Sequence, residues 1–303
     1  IDLSAPGCIG VACGDFNGDG LCDIAFIIEG GKLRIYYQTD IGFVRNGYKD
    51  LDLDLIQITC GDINGDGYYD LYCRVRNGDW IVLWGGKEGI NLNSFAVVGE
   101  TTEDSFFEIY PFGGGNLNYA EEARPKILNI DGKTYLLYCK KEKAFLKGLN
   151  ADNKFETKMT FNIPGVISAA SGDIDGDGKD DLVFLSRPNA ENEKAIIIYG
   201  GRNNFQLDHR KELKVKTARD VIICDLNGTG YGDIAICQGR DEFKHTTESL
   251  LYLSGKNGID TEPKRFATHN AVAVLVANTD GKGMQLIFVN HQQSESYGHP
   301  PAY

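Results

Sequence analysis

Carboxylates and amides recur along this sequence at a fixed spacing, and the spacing is the one an oxygen-seeking cation needs. Gly14–Phe26 reads GDFNGDGLCDIAF, Gly61–Cys73 reads GDINGDGYYDLYC, Gly172–Phe184 reads GDIDGDGKDDLVF and Cys224–Ile236 reads CDLNGTGYGDIAI. Counted from the first Asp of each loop, side-chain oxygens fall at positions 1, 3, 5 and 9, and a backbone carbonyl is expected at 7. Alternate donors in a tight glycine-containing turn point to one centre. Several hard oxygens on a flexible loop select Ca²⁺ over the smaller, strictly octahedral Mg²⁺. The expected ligand sets are Asp15, Asn17, Asp19, the Leu21 carbonyl and Asp23; Asp62, Asn64, Asp66, the Tyr68 carbonyl and Asp70; Asp173, Asp175, Asp177, the Lys179 carbonyl and Asp181; and Asp225, Asn227, Thr229, the Tyr231 carbonyl and Asp233. Thr229 is a weaker, neutral donor. The expected cofactor is therefore Ca²⁺, with four ions bound. An EF-hand closes instead on a bidentate Glu at position 12, where these loops carry Phe26, Cys73, Phe184 and Ile236. Asx-rich turns favour the same Asp, Asn and Gly. A turn alone gives no evident reason for the ninth-position Asp, which all four loops have.

The elements that must position these loops follow from their repetition. Two decayed copies, LNIDGKTYLLY at Leu128–Tyr138 and ANTDGKGMQLIF at Ala277–Phe288, complete a set whose first-ligand positions are 15, 62, 129, 173, 225 and 278. Lys133 and Leu136 in one copy, and Lys282 and Leu286 in the other, stand where ligands are due, so neither is expected to bind metal. Apolar segments flank each loop, for example Ile56–Cys60 and Leu71–Val75, and aromatic-rich segments such as Ile81–Gly85 and Phe95–Val98 follow. Four short strands in a unit of roughly 50 residues, without helical periodicity, describe a propeller blade. The expected fold is all-β: one β-propeller domain over 1–303, built of four-stranded antiparallel blades. Six repeats are visible (six or seven blades when complete), with loops near 15–23, 62–70, 129–136, 173–181, 225–233 and 278–286. Ile1–Leu3 resembles the end of a fourth strand, and Tyr303 falls where the third strand of the sixth unit is due. The chain reads as a fragment of a longer one, or as a ring closed by a blade shared between the termini.

Composition narrows the function. The formal charge is −12, from 31 Lys+Arg against 43 Asp+Glu. Such a surface repels phosphate backbones and anionic lipid, which disfavours nucleic acid as a partner. No apolar run reaches the ~18 residues of a membrane span. Twelve of the carboxylates are expected cation ligands, and four divalent ions would bring the charge from −12 to −4.

The four GD[FIL][ND]G[DT]G-like motifs, with aromatic–Gly–Gly turns such as Leu83–Gly86 and Ile198–Gly201, resemble the FG-GAP (VCBS-type) repeats of the integrin α-subunit propeller and of bacterial surface proteins. That resemblance implies a β-propeller with Ca²⁺ loops on one face, between the first and second strands of each blade, and a ligand face opposite. Integrin function is not carried over, because the blades are shorter and flanking integrin domains are not seen.

On the opposite face fall the connections from second to third and from fourth to first strands. The long polar connections Arg240–Ser249 and Asn290–Ala302, and the extra length at Gly99–Lys126, lie there. The candidate ligand-binding residues are Arg74, Arg76, Tyr119, Arg187, Arg240, His245, His291 and Tyr297, which suit a glycan or an acidic peptide. No nucleophile elbow, zinc-protease motif or phosphate loop is present, and no catalytic residue is assigned. Eight cysteines fall mostly in inner strands, where buried free thiols are the commoner outcome; Cys60 with Cys73 and Cys224 with Cys237 are the pairs that could face one another across a hairpin, with disulfides as the alternative. The reading is a calcium-stabilised, non-enzymatic binding or adhesion module, extracellular or at the cell surface (secreted or periplasmic included), with a glycan or protein ligand. The alternatives are the propeller of a polysaccharide lyase or hydrolase, or a structural subunit that contacts its own copies.

Overall fold

The computed structural model of the protein describes residues 2–76, 78–99, 123–140, 142–186, 194–201, 204–240, 246–278, 281 and 283–290. Its strands form five four-stranded antiparallel sheets, each paired in chain order. The first holds β1 (Gly10–Gly14), β2 (Asp23–Ile27), β3 (Leu33–Tyr36) and β4 (Tyr48–Leu51). The second holds β5 (Leu55–Gly61), β6 (Asp70–Val75), β7 (Trp80–Leu83) and β8 (Phe95–Gly99), and the third β9 (Ile127–Ile130), β10 (Lys133–Lys140), β11 (Lys143–Leu149) and β12 (Phe155–Phe161). The fourth holds β13 (Val166–Gly172), β14 (Asp181–Ser186), β15 (Lys194–Ile198) and β16 (Lys211–Lys214). In the fifth, β17 (Ala218–Cys224), β18 (Asp233–Gln238) and β19 (Thr246–Tyr252) pair in turn, a small hairpin of β20 (Ser254–Gly255) and β21 (Gly258–Ile259) intervenes, and β22 (Lys264–His269) completes the sheet. A last pair, β23 (Ala271–Ala277) with β24 (Gln285–Asn290), carries the sixth repeat.

The class is therefore all-β, assembled from propeller blades, with five complete blades among the described residues where six repeats are read in the sequence. The residues that follow β24, 291–303, lie outside those described. Among the described residues no helix is long and apolar enough to cross a membrane.

The described residues fall into two compact units: those within 1–109, 124–127 and 134–160, and those within 110–123, 128–133 and 161–303. In each, apolar faces of consecutive sheets close on one another. Phe16, Ile27, Ile35, Leu55, Leu71 and Leu83 form the core of the first unit. Ile167, Val183, Ile197, Val221, Ile236 and Leu250 do so in the second, with a further cluster of Ala235, Leu251, Val274 and Phe288. Four inner strands carry the same bulge near their start, between Leu55 and Gln57, Val166 and Ser168, Ala218 and Asp220, and Ala271 and Ala273. A bulge adds local twist, so each inner strand leaves its preceding connection with the same extra twist.

Two expectations change, and the cysteines follow the commoner outcome. The third repeat has no nine-residue loop: β9 and β10 join through Asp131 and Gly132, at φ 49° and 75°. Two left-handed residues in a two-residue connection are the tight hairpin that Asp-Gly favours, so Lys133 and Leu136 stand in β10 and not at ligand positions. Asp2 and Leu3 form no strand, and Ile1 lies outside the described residues; the Ser4 carbonyl instead accepts a bond from Arg34 Nη1 at 3.0 Å. All eight cysteines are free thiols. Cys73 faces Ile58 and Cys60 faces Leu71; Cys224 faces Asp233 and Cys237 faces Asp220, so neither candidate pair is in register.

Candidate metal centres

Four loops, at 15–23, 62–70, 173–181 and 225–233, join the first strand of a sheet to its second, and they share one hydrogen-bond pattern. The position-1 Asp organises the turn. Asp15 Oδ1 accepts the Gly18 and Asp19 N–H groups at 2.7 and 3.1 Å, and its Oδ2 accepts Gly20 at 2.8 Å. Asp62 and Asp173 repeat all three bonds. Asp225 keeps those from Thr229 and Gly230, at 3.0 and 2.7 Å. The N–H of Gly230, ahead of weaker desolvation, holds the Asp225 carboxyl below the usual range. Glycine at positions 4 and 6 is a backbone requirement: φ is +73° and +83° in the first loop, and +74° and +81° in the fourth-sheet loop. L side chains rarely adopt that region.

Position 5 closes the inner turn. Asp19 Oδ1 accepts the Leu21 N–H at 2.8 Å, Asp66 that of Tyr68 at 3.0 Å and Asp177 that of Lys179 at 2.9 Å. Thr229 has no carboxylate for this bond. Position 2 is the apolar anchor: Phe16, Ile63 and Ile174 are buried and tie the loop to the core.

The ninth-position Asp has a role that the spacing did not disclose. Asp23, Asp70, Asp181 and Asp233 are all fully buried. One oxygen of each accepts the position-2 N–H of its own loop, from Phe16 at 3.0 Å, Ile63 at 2.9 Å, Ile174 at 2.9 Å and Leu226 at 3.3 Å. The other accepts an N–H just beyond the third strand, from Gln38 at 2.9 Å, Gly85 at 2.9 Å, Gly200 at 2.7 Å and Ser254 at 2.9 Å. Burial pushes these carboxyls upward, Asp70 and Asp181 to about 6, against the pull of the N–H bonds. Asp23 and Asp233 move the same way for the same reason. The ninth Asp thus straps loop to blade whatever ion is present, and its occurrence does not by itself separate a metal loop from a turn. The four partner residues offer only main-chain N–H groups; two of them, Gly85 and Gly200, belong to the aromatic–Gly–Gly turns seen in the sequence, and Gln38 and Ser254 carry no such mark.

The stronger indication is convergence. Ligand atoms of Asp173, Asp175 and Asp177 all lie within 4.8 Å of one another. Like charges at that separation repel by about 1 kcal/mol per pair even at the dielectric of water, and a divalent cation relieves all three pairs. A carboxylate oxygen that accepts one N–H keeps a further lone pair, so the donor set fits a hard cation. The Asn17 and Asn64 carbonyl oxygens already turn inward to accept the N–H of Asp19 and Asp66, both at 3.1 Å.

Neighbouring loops are joined by their backbones. The Tyr69 N–H donates to the Asp15 carbonyl at 2.8 Å, and the Gly232 N–H to the Asp173 carbonyl at 2.6 Å. Ahead of the fourth-sheet loop stands the short hairpin turn. There Asp131 and Asp180 exchange bonds, each N–H donating to the other's carboxylate at 2.6 and 3.1 Å, while Lys179 Nζ approaches Asp131 to 3.7 Å. In the sixth repeat Lys282 lies outside the described residues.

Of the candidate ligand-binding residues, Tyr119, Arg187, His245, His291 and Tyr297 lie outside the described residues. Arg74 is not on an exposed turn: it is 5 % exposed in β6, with its guanidinium 5.2 Å from the Trp80 ring centroid. It alternates into an aromatic layer of Tyr72, Trp80 and Tyr138. Arg76 is exposed and pairs with Asp54 at 2.9 Å. Arg240 is half-buried, its N–H donating to Asn270 Oδ1 at 2.9 Å.

Residues 15–73, which span the first two loops and the strands between and after them, match the family model of the FG-GAP-like repeat. No curated protein matches the chain.

Proposed function

We propose that the protein is a calcium-stabilised, propeller-type binding module whose four loops each take one Ca²⁺. The convergence of the Asp173, Asp175 and Asp177 carboxylates is the observation that carries the reading. The same turn in the loops beginning at Asp15 and Asp62, with Asn at position 3, extends it. The loop beginning at Asp225, with Thr229 at position 5, is the weakest site. The ion neutralises carboxylates that otherwise repel, and the position-1, -3 and -5 side chains with the position-7 carbonyl would hold it. Because the ninth Asp already fastens each loop to its blade, bound Ca²⁺ stabilises the blade as a whole. Calorimetric titration with Ca²⁺ tests this directly: four ions are expected, and heats indistinguishable from dilution would end the reading.

The sheet ends opposite these loops are proposed to bind a glycan or a protein, with Arg76 at such an end in the first unit and Arg240 in the second, each considered by itself. A glycan array probed with the calcium-loaded protein tests the sugar class, and retention without turnover is expected. Placement outside the cell or on its surface is supported by the cation, since extracellular calcium modules work at ~10⁻⁴–10⁻³ M. The eight free thiols pull the other way, towards a reducing compartment. Thiol counting on protein taken from its native compartment decides between them.

A further inference from the structure

We infer that Tyr68 and Tyr231 are positioning residues that join the cation loops into two coupled pairs, so that an ion in one loop of a pair favours an ion in the other. This rests on the calcium reading above and adds a regulation to it.

Each Tyr stands at position 7 of its own loop, where the backbone carbonyl is the expected ligand, and its ring lies against the preceding loop. A Cβ placed on Gly18 would come within 2.5 Å of Tyr68 Cε1, and one on Gly176 within 2.5 Å of Tyr231 Cε1. Gly18 and Gly176 are the position-4 glycines whose N–H groups donate to Asp15 Oδ1 and Asp173 Oδ1, both at 2.7 Å. The tyrosine ring therefore packs on the turn that orients the position-1 carboxylate of the neighbouring site. A second connection runs beside it, from the Tyr69 N–H to the Asp15 carbonyl and from the Gly232 N–H to the Asp173 carbonyl. Ordering the Tyr68 carbonyl around an ion in its own loop fixes the ring that supports the loop before it, and the reverse holds by linkage.

Position 7 varies with what precedes it. Tyr occurs in the two loops that follow a full loop, whereas Lys179 follows the shortened Asp131–Gly132 turn and reaches its carboxylate. Gly65 and Gly228, the position-4 glycines of the second loop in each pair, have nothing within 4 Å of their Cβ direction. The coupling is thus assigned to two pairs, not to a continuous row.

The test uses the full chain with Asp177→Asn and Asp225→Asn, which leaves the first pair of sites, titrated with Ca²⁺ by calorimetry. The second ion is expected to bind about fivefold or more tightly than independent sites allow, the lower end of ordinary site coupling. Tyr68→Ala is expected to leave two ions binding with non-interacting constants, and Tyr68→Phe, which keeps the ring, to retain the coupling. With Asp66→Asn added to Asp177→Asn and Asp225→Asn, terbium luminescence excited through tyrosine reports an ion in the first loop alone, and Tyr68→Phe is expected to reduce it. Independent constants in the parent, coupling that survives Tyr68→Ala, or luminescence unchanged by Tyr68→Phe each overturn the inference while calcium binding itself stands. Absence of any calcium binding overturns both readings.

Discussion

The Gly200 N–H donates to Asp181 Oδ1 at 2.7 Å, fastening the region after β15 to the first residue of β14, while Asp181 Oδ2 holds the Ile174 N–H at 2.9 Å. Both bonds are buried, so removing the carboxylate strands two N–H groups out of reach of water. Each such group costs about 1–3 kcal/mol. Asp181→Ala is therefore expected to lose about 2–5 kcal/mol in urea unfolding carried out in chelator. An equal loss that appears only with calcium present would assign Asp181 to the ion instead of the strap.

The strap also sets a pH dependence. Burial raises the Asp181 carboxyl from 3.8 to about 6 in the folded, metal-free protein. The native state then holds more protons at this site than the unfolded state between about pH 4 and 6, so stability falls as pH rises through that window and levels off above it. A cation bound in the loop favours the ionised form of the neighbouring Asp181 by its charge, so the stabilising effect of calcium grows across the same interval. In chelator, the melting temperature of wild type relative to Asp181→Asn is expected to decline from pH 4 to 6. A flat difference would mean that the carboxyl titrates near its ordinary value.

Much of the fold was legible because loop and strand carry independent signals. The glycines at 18 and 20 mark left-handed backbone, and the apolar runs on either side mark strands that pack on both faces. The third repeat was misread for a specific reason. Alignment to the other loops outweighed the Asp-Gly pair at 131–132, itself a hairpin signal. Arg74 was misplaced because RVRN reads as the approach to a turn, while the β6 register with Trp80 turns its side chain into an aromatic layer. Of the partners of the ninth Asp, Gly85 and Gly200 stand in the aromatic–Gly–Gly turns visible in the sequence, while Gln38 and Ser254 act through main-chain N–H groups that carry no signature.

The glycines of consecutive loops separate backbone strain from crowding. Gly18 and Gly65 occupy the same loop position at φ +73° and +77°. A Cβ on Gly18 would meet the Tyr68 ring at 2.5 Å, whereas Gly65 has nothing within 4 Å. Left-handed strain costs about 1–2 kcal/mol at either position. Gly65→Ala is expected to lose that amount, and Gly18→Ala distinctly more, in chemical denaturation. Combining Gly18→Ala with Tyr68→Ala is expected to return the loss towards the Gly65→Ala value. Equal losses for the two single variants would remove the ring contact from the account.

Thr229 offers the most direct test that these loops are built around a cation. It occupies the position held by Asp19, Asp66 and Asp177 elsewhere, and only its backbone takes part in the turn, its N–H donating to Asp225 and Asn227 at 3.0 and 3.2 Å. Thr229→Asp adds a carboxylate beside Asp225, and without an ion the new repulsion destabilises the loop. With Ca²⁺ the same group is an added charged ligand, and affinity at this site is expected to rise on the order of tenfold. The melting-temperature change caused by Thr229→Asp should then be negative in chelator and positive in saturating calcium, as ligand linkage requires. Thr229→Asn, which adds an oxygen without charge, should show a smaller change in calcium and little penalty in chelator. A Thr229→Asp shift of the same sign and size in both conditions would leave the loop beginning at Asp225 as a turn that binds no ion.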